Sequence, residues 1–255
     1  MGIITEIAQP NSTVLQSSSS APIASIANDA SMLRLLQLSS ATLPVGGYAF
    51  SHGLEWALEA EWLSTSDDVI EWLSVQLTES VATLDLPILH RQCLALEQQD
   101  IPALIQWNDT VLACRESYEL RLTDTALADA MIRLLHGLSI ENDLLNTLDN
   151  QSKKPHNISY VTTFAIAATH WRISPHYAAL GYAWAWLENQ VAAATKLTLF
   201  GQLSAQKAID ALMPVVEQAV NQSLLISDDD IGTSLPGLAM ASSHHETQYS
   251  RLFRS

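Results

Sequence analysis

The sequence predicts an all-α protein, with a single compact domain of about ten helices and no significant β-sheet. Three observations favour this fold class. Apolar residues recur at spacings of three and four through most of the chain, and residues that cap or end helices stand between these stretches. Asn-Gly and Asp-Gly hairpin turns do not occur, and glycine and proline number only nine each in 255 residues.

The N-terminal part begins with a Ser-rich segment. It carries a single charged side chain and shows no sustained hydrophobic period, which predicts a disordered leader. Asp29 or Ser31 can cap the first helix, which we expect to continue to about Ser40. The predicted organisation is a leader at 1–28, a helical core at 29–233 and a flexible, partner-binding C-terminal segment at 234–255.

A corner rich in glycine and aromatic residues separates the first two helices, in the stretch SSATLPVGGYAFSHGLE. It is not a phosphate-binding loop, because it has no Gly-Lys-Ser/Thr and no strand leads into it. It is not a nucleophile elbow either, because Ser51 lacks the Gly-x-Ser-x-Gly frame. The glycines allow close helix packing, and the side chains around them either pack there or present a surface. These side chains are Tyr48, Phe50, His52 and Glu55.

The middle of the chain has the clearest helical stripes. Ser66, followed by two aspartates, can serve as the N-cap of an amphipathic helix that we expect Pro87 to separate from the next one. Asp100 opens a further helix, whose apolar stripe continues without a break to Leu135. Gly137 is the expected stop.

Caps and breakers also organise the C-terminal half. The loop NQSKKPHN precedes a helix over about 159–171, and Ser174 with Pro175 begins the next helix. Gly201 is expected to end that helix and Ser204 to cap another, which Pro214 kinks or divides.

The longest apolar run, YAALGYAWAWLENQVAAATKLTLF, is predicted to be a buried central helix. Polar residues at 188–190 interrupt it after about ten residues, well short of the ~20 that a membrane span needs. Polar residues along and after its end either lie at an exposed helix end or form a contact strip for another protein. The members of this strip that we single out are Lys196, Gln202 and Gln206.

The charge and cysteine content restrict the class of partner. A net charge of −15 argues against nucleic acid and anionic membranes, and it fits a basic protein partner or a cation. Cys93 and Cys114 do not make a disulfide framework, and no signal peptide is evident. We therefore expect a cytoplasmic protein without nucleic-acid or membrane partners.

Metal-ligating residues occur in two weak groups. His90 and Cys93 stand three residues apart on a predicted helix, where a core cysteine beside a surface histidine is the favoured interpretation. His244, His245 and Glu246 form a second group near the C-terminus. No His-Glu-x-x-His or paired Cys-x-x-Cys motif occurs, so the spacing predicts no built-in metal site and no cofactor.

The stretch CRESYELR is predicted to have a structural polar role. Arg115 and Glu119 stand four residues apart, as in a helical ion pair, and Arg121 lies on the flank of the same predicted helix. The stretch is either a solvated face or a place where arginines hold carboxylates of another helix, such as Glu55.

The C-terminal stretch HHETQYSRLFRS interleaves apolar side chains with arginines. This pattern is typical of a segment that becomes ordered when a partner offers an apolar groove. The side chains concerned are Tyr249, Arg251, Leu252, Phe253 and Arg254.

Four of these stretches together resemble the urease accessory protein family UreF. They are LPVGGYAFSHGLEWA, RESYELR, ENQVAAATKLTLFGQLSAQ and ASSHHETQYSRLFRS, and their order and spacing match the family over most of residues 30–255. The resemblance implies an all-α, non-enzymatic scaffold, commonly dimeric, in nickel-dependent maturation of urease. Such a protein bridges the accessory protein UreD (also called UreH) and the nickel-carrying GTPase UreG, controls when the GTPase acts, and reaches apo-urease through the complex.

The resemblance also implies roles for individual residues. The C-terminal segment, including His245 and Glu246, is associated with UreD binding. The glycine corner with Tyr48, His52 and Glu55, and the strip of Lys196, Gln202 and Gln206, are assigned to the GTPase or to the dimer centre.

Two alternatives stay open from the residues alone. One is a direct nickel carrier that uses His90, Cys93 or the C-terminal histidines. The other is an all-α hydrolase or lyase in which His52, Glu55 and Arg115 converge in a pocket.

Overall fold

A computed structural model describes residues 29–140, 158–232 and 234–254, and these ranges confirm the all-α class. No strand occurs in them. The predicted leader and the predicted loop NQSKKPHN lie outside the described residues. The α-helices are α1 Asp29–Leu38, α2 Leu54–Glu59, α3 Ser66–Gln76, α4 Leu86–Gln98, α5 Ile101–Ala113, α6 Tyr118–Gly137, α7 Tyr160–His170, α8 Pro175–Lys196, α9 Gln202–Ser223 and α10 Pro236–His245.

Several helices begin where a capping side chain was expected. Asp100 accepts a hydrogen bond from the backbone of Ala103 at 3.0 Å, which satisfies one of the free N–H groups at the start of α5. The cap of α3 is Thr65, one residue before the expected Ser66. Thr65 forms a capping box with Asp68, in which each side chain accepts from the other's backbone N–H. The predicted cap at Ser204 is wrong, because α9 already begins after Gly201.

Pro87 does not separate two helices as expected. A π-helix, Leu77–Asp85, continues α3 directly into α4. Proline has no N–H to offer the carbonyl four residues earlier, that of Thr83, and this carbonyl accepts instead from the backbone N–H of Gly232 at 3.2 Å. The missing donor is therefore compensated by another part of the chain. Pro214 likewise lies inside a continuous helix, α9.

The apolar stripe that the sequence continues from 104 to 135 is interrupted. Helix α5 ends at Ala113, and Ser117 caps α6 by accepting from the backbone of Leu120 at 3.1 Å. Arg115 thus lies in the link between two helices and not on a helix.

Helix α8 is the buried central helix that the sequence predicts. It packs against α9 and α4 and also contacts α1 and α7. Gly181 makes the crossing with α1 possible, because a Cβ there would lie 2.5 Å from side-chain atoms of Leu35 and Ser39. None of the helices in the described ranges is both long and apolar enough to cross a membrane.

The C-terminal segment, which the sequence predicts to be flexible, packs on the core in this structure. Helix α10 contacts α2 and α6, and Leu238 and Ala241 on it are buried. After α10 the chain continues along the glycine corner, where the Phe253 side chain is 3% exposed. The apolar groove that such a segment needs is supplied by the chain itself.

Candidate functional site

The glycine corner brings the chain sharply back between α1 and α2. Gly46 and Gly53 have φ of +79° and +76°, a left-handed conformation that glycine adopts without strain. His52 between them also has a positive φ of +49°. The turn buries Phe50 and leaves Tyr48 62% exposed, so the corner both packs and presents a surface.

His245, at the end of α10, lies fully buried between two carboxylates. Its Nδ1 is 2.8 Å from Oε2 of Glu119 on α6, and its Nε2 is 3.0 Å from Oε2 of Glu55 on α2. Both carboxylates are themselves buried. We call these three residues the C-terminal latch, because they join the last helix to two others.

Glu55 also holds the end of the chain. Its carboxylate accepts hydrogen bonds from the backbone N–H groups of Leu252 at 2.6 Å and of Phe253 at 2.9 Å. Lys196, at the end of α8, places its Nζ 4.1 Å from the centre of the Phe253 ring and donates to the carbonyl of Leu252 at 3.3 Å. The backbone N–H of Arg254 donates to the carbonyl of Ala49 at 2.9 Å.

A second set of contacts lies beside the latch. The His244 ring stacks on Trp56 with ring centres 4.6 Å apart and an angle of 14°. Gln248 donates a hydrogen bond to the carboxylate of Glu59. Helix α2 is therefore joined to the C-terminal segment along its whole length, although it has only six residues.

The protonation of His245 follows from its surroundings. Burial disfavours the charged imidazolium, but hydrogen bonds and charge from Glu119 and Glu55 outweigh it and raise the pKa of His245 above its usual value. A neutral imidazole can donate through only one ring nitrogen, whereas both nitrogens here face carboxylate oxygens. Both the geometry and the direction of the pKa shift favour the protonated, positively charged ring of His245.

Arg115 forms a separate buried ion cluster. Its Nη2 lies 2.5 Å from Asp85 at the end of the π-helix, and its Nε lies 2.7 Å from Asp124 on α6. Tyr182 on α8 donates its hydroxyl to Asp85 at 3.0 Å, and the backbone N–H of Tyr160 donates to Asp124 at 2.5 Å. Burial raises the pKa of Asp124, and the Arg115 charge opposes that rise.

This cluster corrects two sequence-based expectations. Arg115 does hold carboxylates of other elements, but they are Asp85 and Asp124 and not Glu55. Arg115 and Glu119 do not form a helical pair, because Arg115 precedes α6 and Glu119 binds His245. Arg121 is exposed on α6 and takes no part in the cluster.

A cavity of about 80 Å³ lies beside the Arg115 cluster, lined among others by His52, Trp186 and Gln190. Burial, and secondarily the Arg115 charge, lowers the pKa of His52 to about 4, so its ring is neutral near pH 7. Glu55 does not line this cavity and is engaged in the latch. The three groups of the hydrolase alternative therefore do not converge.

The first metal-ligating group is inside the core. Cys93 is buried as expected, but His90 is also buried, which corrects the expectation of a surface histidine. Burial lowers the pKa of His90 to about 4 and raises that of the Cys93 thiol to about 11. Among the residues that the structure describes, no group of three His, Cys, Asp or Glu side chains is placed to hold a metal ion.

The predicted partner-binding residues divide into buried, half-buried and exposed sets. Glu55, His245 and Phe253 are buried against the chain's own core. Glu246 is half-buried and accepts a hydrogen bond from the backbone of Glu119 at 3.0 Å. His52 is half-buried as well. The exposed set consists of Tyr48, Lys196, Gln202, Gln206, Tyr249, Arg251, Leu252 and Arg254.

Some residues of the site are missing from the sequence predictions. Asp85, Asp124 and Tyr182 complete the Arg115 cluster, and Trp56 supports His244. A signal existed for Asp85, because it is the only charge in the apolar run VATLDLPIL and a charge there needs a partner. Asp124 and Trp56 stand in amphipathic helices, where nothing in the local pattern distinguishes them.

The fold and the site define an all-helical protein whose C-terminal segment is anchored on its own core. His245 and Phe253 are the buried anchors of this segment. Beside them, the segment presents aromatic, aliphatic and basic side chains outward.

Comparison with known proteins gives the family. A sequence model of the UreF family matches residues 63–213. A protein of Marinomonas sp. (strain MWYL1) named urease accessory protein UreF is 48% identical over 231 residues, which cover 90% of this chain and 96% of that protein. Proteins of the same name from Alkalilimnicola ehrlichii and Pseudomonas putida (strain W619) are 43% and 41% identical, covering 87% and 89% of this chain and 95% and 99% of their own lengths. The chain therefore belongs to the UreF family of urease accessory proteins.

Proposed function

We propose that this chain is a non-enzymatic scaffold in the nickel-dependent maturation of urease. In this proposal it bridges a UreD/UreH-like protein and a UreG-like GTPase, regulates the GTPase, and acts on apo-urease through the complex. Nickel is the cargo of that complex and not a resident cofactor of this chain. The observation that carries the proposal is a C-terminal segment with buried anchors and outward-facing apolar and basic side chains.

The anchors and the outward side chains alternate over a few residues. The backbone at Leu252 and Phe253 is fixed by Glu55, and the Phe253 ring is buried. Tyr249 is fully exposed and the Leu252 side chain is 53% exposed. A backbone that is already fixed loses little further conformational freedom on binding, which favours a contact surface.

The chemistry of this surface suggests its partner. Arg251 and Arg254 are exposed beside the aromatic and aliphatic side chains, on a chain with 12 basic and 27 acidic residues. Tyrosine and arginine are common among the residues that dominate binding energy at interfaces. We assign this surface to the UreD/UreH-like partner, which would offer an apolar pocket with a carboxylate rim.

The glycine corner and the start of α9 are assigned to the other contacts. Tyr48 is exposed at the corner, and Gln202 and Gln206 are exposed on α9. Lys196, at the end of α8, is bound to the end of the chain. We assign this face to the GTPase or to a second copy of the chain.

Co-purification with the UreD/UreH-like protein tests the proposal. Tyr249→Ala and Leu252→Ala together should weaken that complex at least about tenfold, because truncating central interface residues costs more than about 1 kcal/mol each. Helical circular dichroism should stay unchanged, since neither side chain is buried. The control is Leu225→Ala, which alters a leucine after α9 that is 85% exposed.

Urease activation from the purified components is the second readout. The double variant should lower activation in proportion to the lost complex, and Leu225→Ala should not. Unchanged binding and activation by the double variant would contradict the assignment of this surface.

A further inference from the structure

The C-terminal latch contains one histidine between two acids, and its hydrogen bonds depend on two protons. Oxygens of Glu119 and Glu55 lie 2.8 Å and 3.0 Å from the two ring nitrogens of His245. A carboxylate only accepts hydrogen bonds, so both nitrogens must donate for both contacts to be favourable. Only the imidazolium ring has two N–H groups.

We propose that the latch is a proton-dependent clasp: protonated His245 holds residues 246–254 on the core, and loss of its proton releases them. The consequence for assembly rests on the proposed function, because the released residues are those assigned there to the UreD/UreH-like partner. The clasp itself is a property of this chain alone.

Deprotonation leaves one ring nitrogen with a lone pair that faces a buried carboxylate. If the proton stays on Nδ1, Nε2 faces Glu55, which also accepts from the backbone of Leu252 and Phe253. If the proton stays on Nε2, Nδ1 faces Glu119 instead. In either case one of the two contacts between α10 and its neighbouring helices becomes repulsive, in a site that holds little water.

Two carboxylates set the charge around His245. Glu55 faces it from α2 and Glu119 faces it from α6, the two helices against which α10 packs most closely. Without His245 these two charges would lie near each other in the core with no cation between them. Four more ionisable groups border the latch and are engaged elsewhere: Glu59 with Gln248, Lys196 with Phe253, His244 with Trp56, and Glu246 with the backbone of Glu119.

The direction of the pH effect follows from the pKa of His245, which is raised above 6.5 in the closed form. A group whose pKa is higher in the closed form stabilises that form fully below the pKa of the open form. That stabilisation is lost as pH rises through the pKa of the closed form. Between the two pKa values, the ratio of closed to open chains falls by about tenfold for each pH unit.

Nuclear magnetic resonance on the full chain tests the clasp without any partner. The His245 ring signals report its pKa, and hydrogen-exchange protection factors report the hydrogen bonds of the Leu252 and Phe253 amides. As pH rises from about 6 to about 9, both protection factors should fall in step with the deprotonation of His245, by about tenfold for each pH unit that separates its pKa values in the closed and open forms. Amides inside α4 should keep their protection over the same range.

The variant Glu119→Gln distinguishes the clasp from a general effect of pH. The side-chain amide that this substitution introduces can donate to Nδ1 of a neutral ring while Nε2–H donates to Glu55, so both contacts stay favourable without the extra proton. Glu119→Gln should therefore remove the fall in protection at high pH. His244→Gln, which alters the stacking on Trp56 but neither carboxylate contact, should keep the fall.

Two results would overturn the clasp. One is unchanged protection of Leu252 and Phe253 while His245 loses its proton. The other is a Glu119→Gln variant that folds and loses protection over the same pH range as the wild type. Because no partner is present, these outcomes stand apart from the proposed function, which fails only if the Tyr249 and Leu252 surface does not affect complex formation.

Discussion

At the scale of single residues, the stability of the fold depends on how buried charges are matched. Arg115 lies between Asp85 and Asp124, and the Tyr182 hydroxyl and a backbone N–H donate further hydrogen bonds to these carboxylates. Its partners come from the π-helix and α6, and Tyr182 comes from α8. The cluster therefore joins three elements that are distant in sequence, and its cost of desolvation is repaid only while all members are present.

Replacing Arg115 by Met should destabilise the fold strongly. The change keeps much of the side-chain volume but leaves Asp85 and Asp124 buried without a cation, which costs about 3–5 kcal/mol. Urea unfolding followed by circular dichroism measures the loss. The control is Arg121→Met on the exposed face of α6, which should stay within about 0.5 kcal/mol of the wild type. Equal stabilities of the two variants would show that the cluster is not needed for folding.

The sequence identifies Arg115 and Glu119 as structural polar residues but does not pair them correctly. Their spacing of four residues indicates a helical pair only if the helix includes both, and the link before Ser117 excludes Arg115 from α6. The true partners stand 30 and 9 residues away for Arg115, and 126 residues away for Glu119. Such contacts are set by the packing of whole helices, which local spacing does not encode.

At the scale of the elements, the glycine corner determines how closely α10 approaches α2. Gly46 and Gly53 have the same left-handed backbone, but their surroundings differ. A Cβ on Gly46 would meet nothing within 4 Å, whereas a Cβ on Gly53 would lie 3.0 Å from Cβ of Ala241 on α10. Substitutions at the two glycines therefore distinguish the cost of backbone strain from the cost of a disturbed contact between helices.

We expect Gly53→Ala to cost more than Gly46→Ala. Each change adds left-handed strain of about 1–2 kcal/mol. Only Gly53→Ala also pushes α10 away, for about 1–3 kcal/mol more. Urea unfolding measures both costs, and hydrogen exchange at Leu252 should increase in Gly53→Ala alone. Equal effects of the two substitutions on stability and exchange would mean that α10 does not rest on Gly53.

The helices themselves are largely predictable, and the exceptions have physical causes. The start of α5 at Asp100 follows from local capping chemistry. Helix α6 does end at Gly137, but the left-handed residue that follows the helix is Ser139, with φ of +58°, and not the glycine. The π-helix before Pro87 does not, because a distant donor, the N–H of Gly232, satisfies the carbonyl that proline leaves unpaired. From the local sequence alone, Pro87 is expected to end the helix. The hydrogen bond from Gly232 satisfies the carbonyl of Thr83, so the helix can continue through the proline.

At the scale of the whole molecule, the sequence predicts the fold class and the family, while the position of the C-terminal segment requires the structure. The arginines and exposed apolar side chains of the segment indicate a flexible end. Its buried contacts come from a few residues, notably Leu238, His245 and Phe253, whose pockets are formed by α2, α6 and the glycine corner. A local sequence pattern cannot predict a pocket that is formed by residues far away along the chain.

Truncation distinguishes a flexible end from a packed one. A flexible end could be removed from 234 onward at no cost in stability. In this structure that deletion uncovers the sites of Leu238 and Phe253, worth about 1.5–3 kcal/mol each. It also removes the His245 cation and the backbone donors of Leu252 and Phe253 from Glu55 and Glu119, and the total loss is comparable with a typical folding free energy of about 5–15 kcal/mol.

We therefore expect two truncations to differ in stability but not in partner binding. Ending the chain after His245 keeps α10 and the latch, so thermal unfolding should show a folded protein with a modestly lower midpoint. Ending it before 234 should leave a marginal or unfolded chain. Both should fail to co-purify with the UreD/UreH-like protein, because both lack Tyr249 and Leu252. If the protein that ends before 234 unfolds at the wild-type temperature, the buried contacts of α10 do not stabilise the fold, and the C-terminal segment is not part of the core.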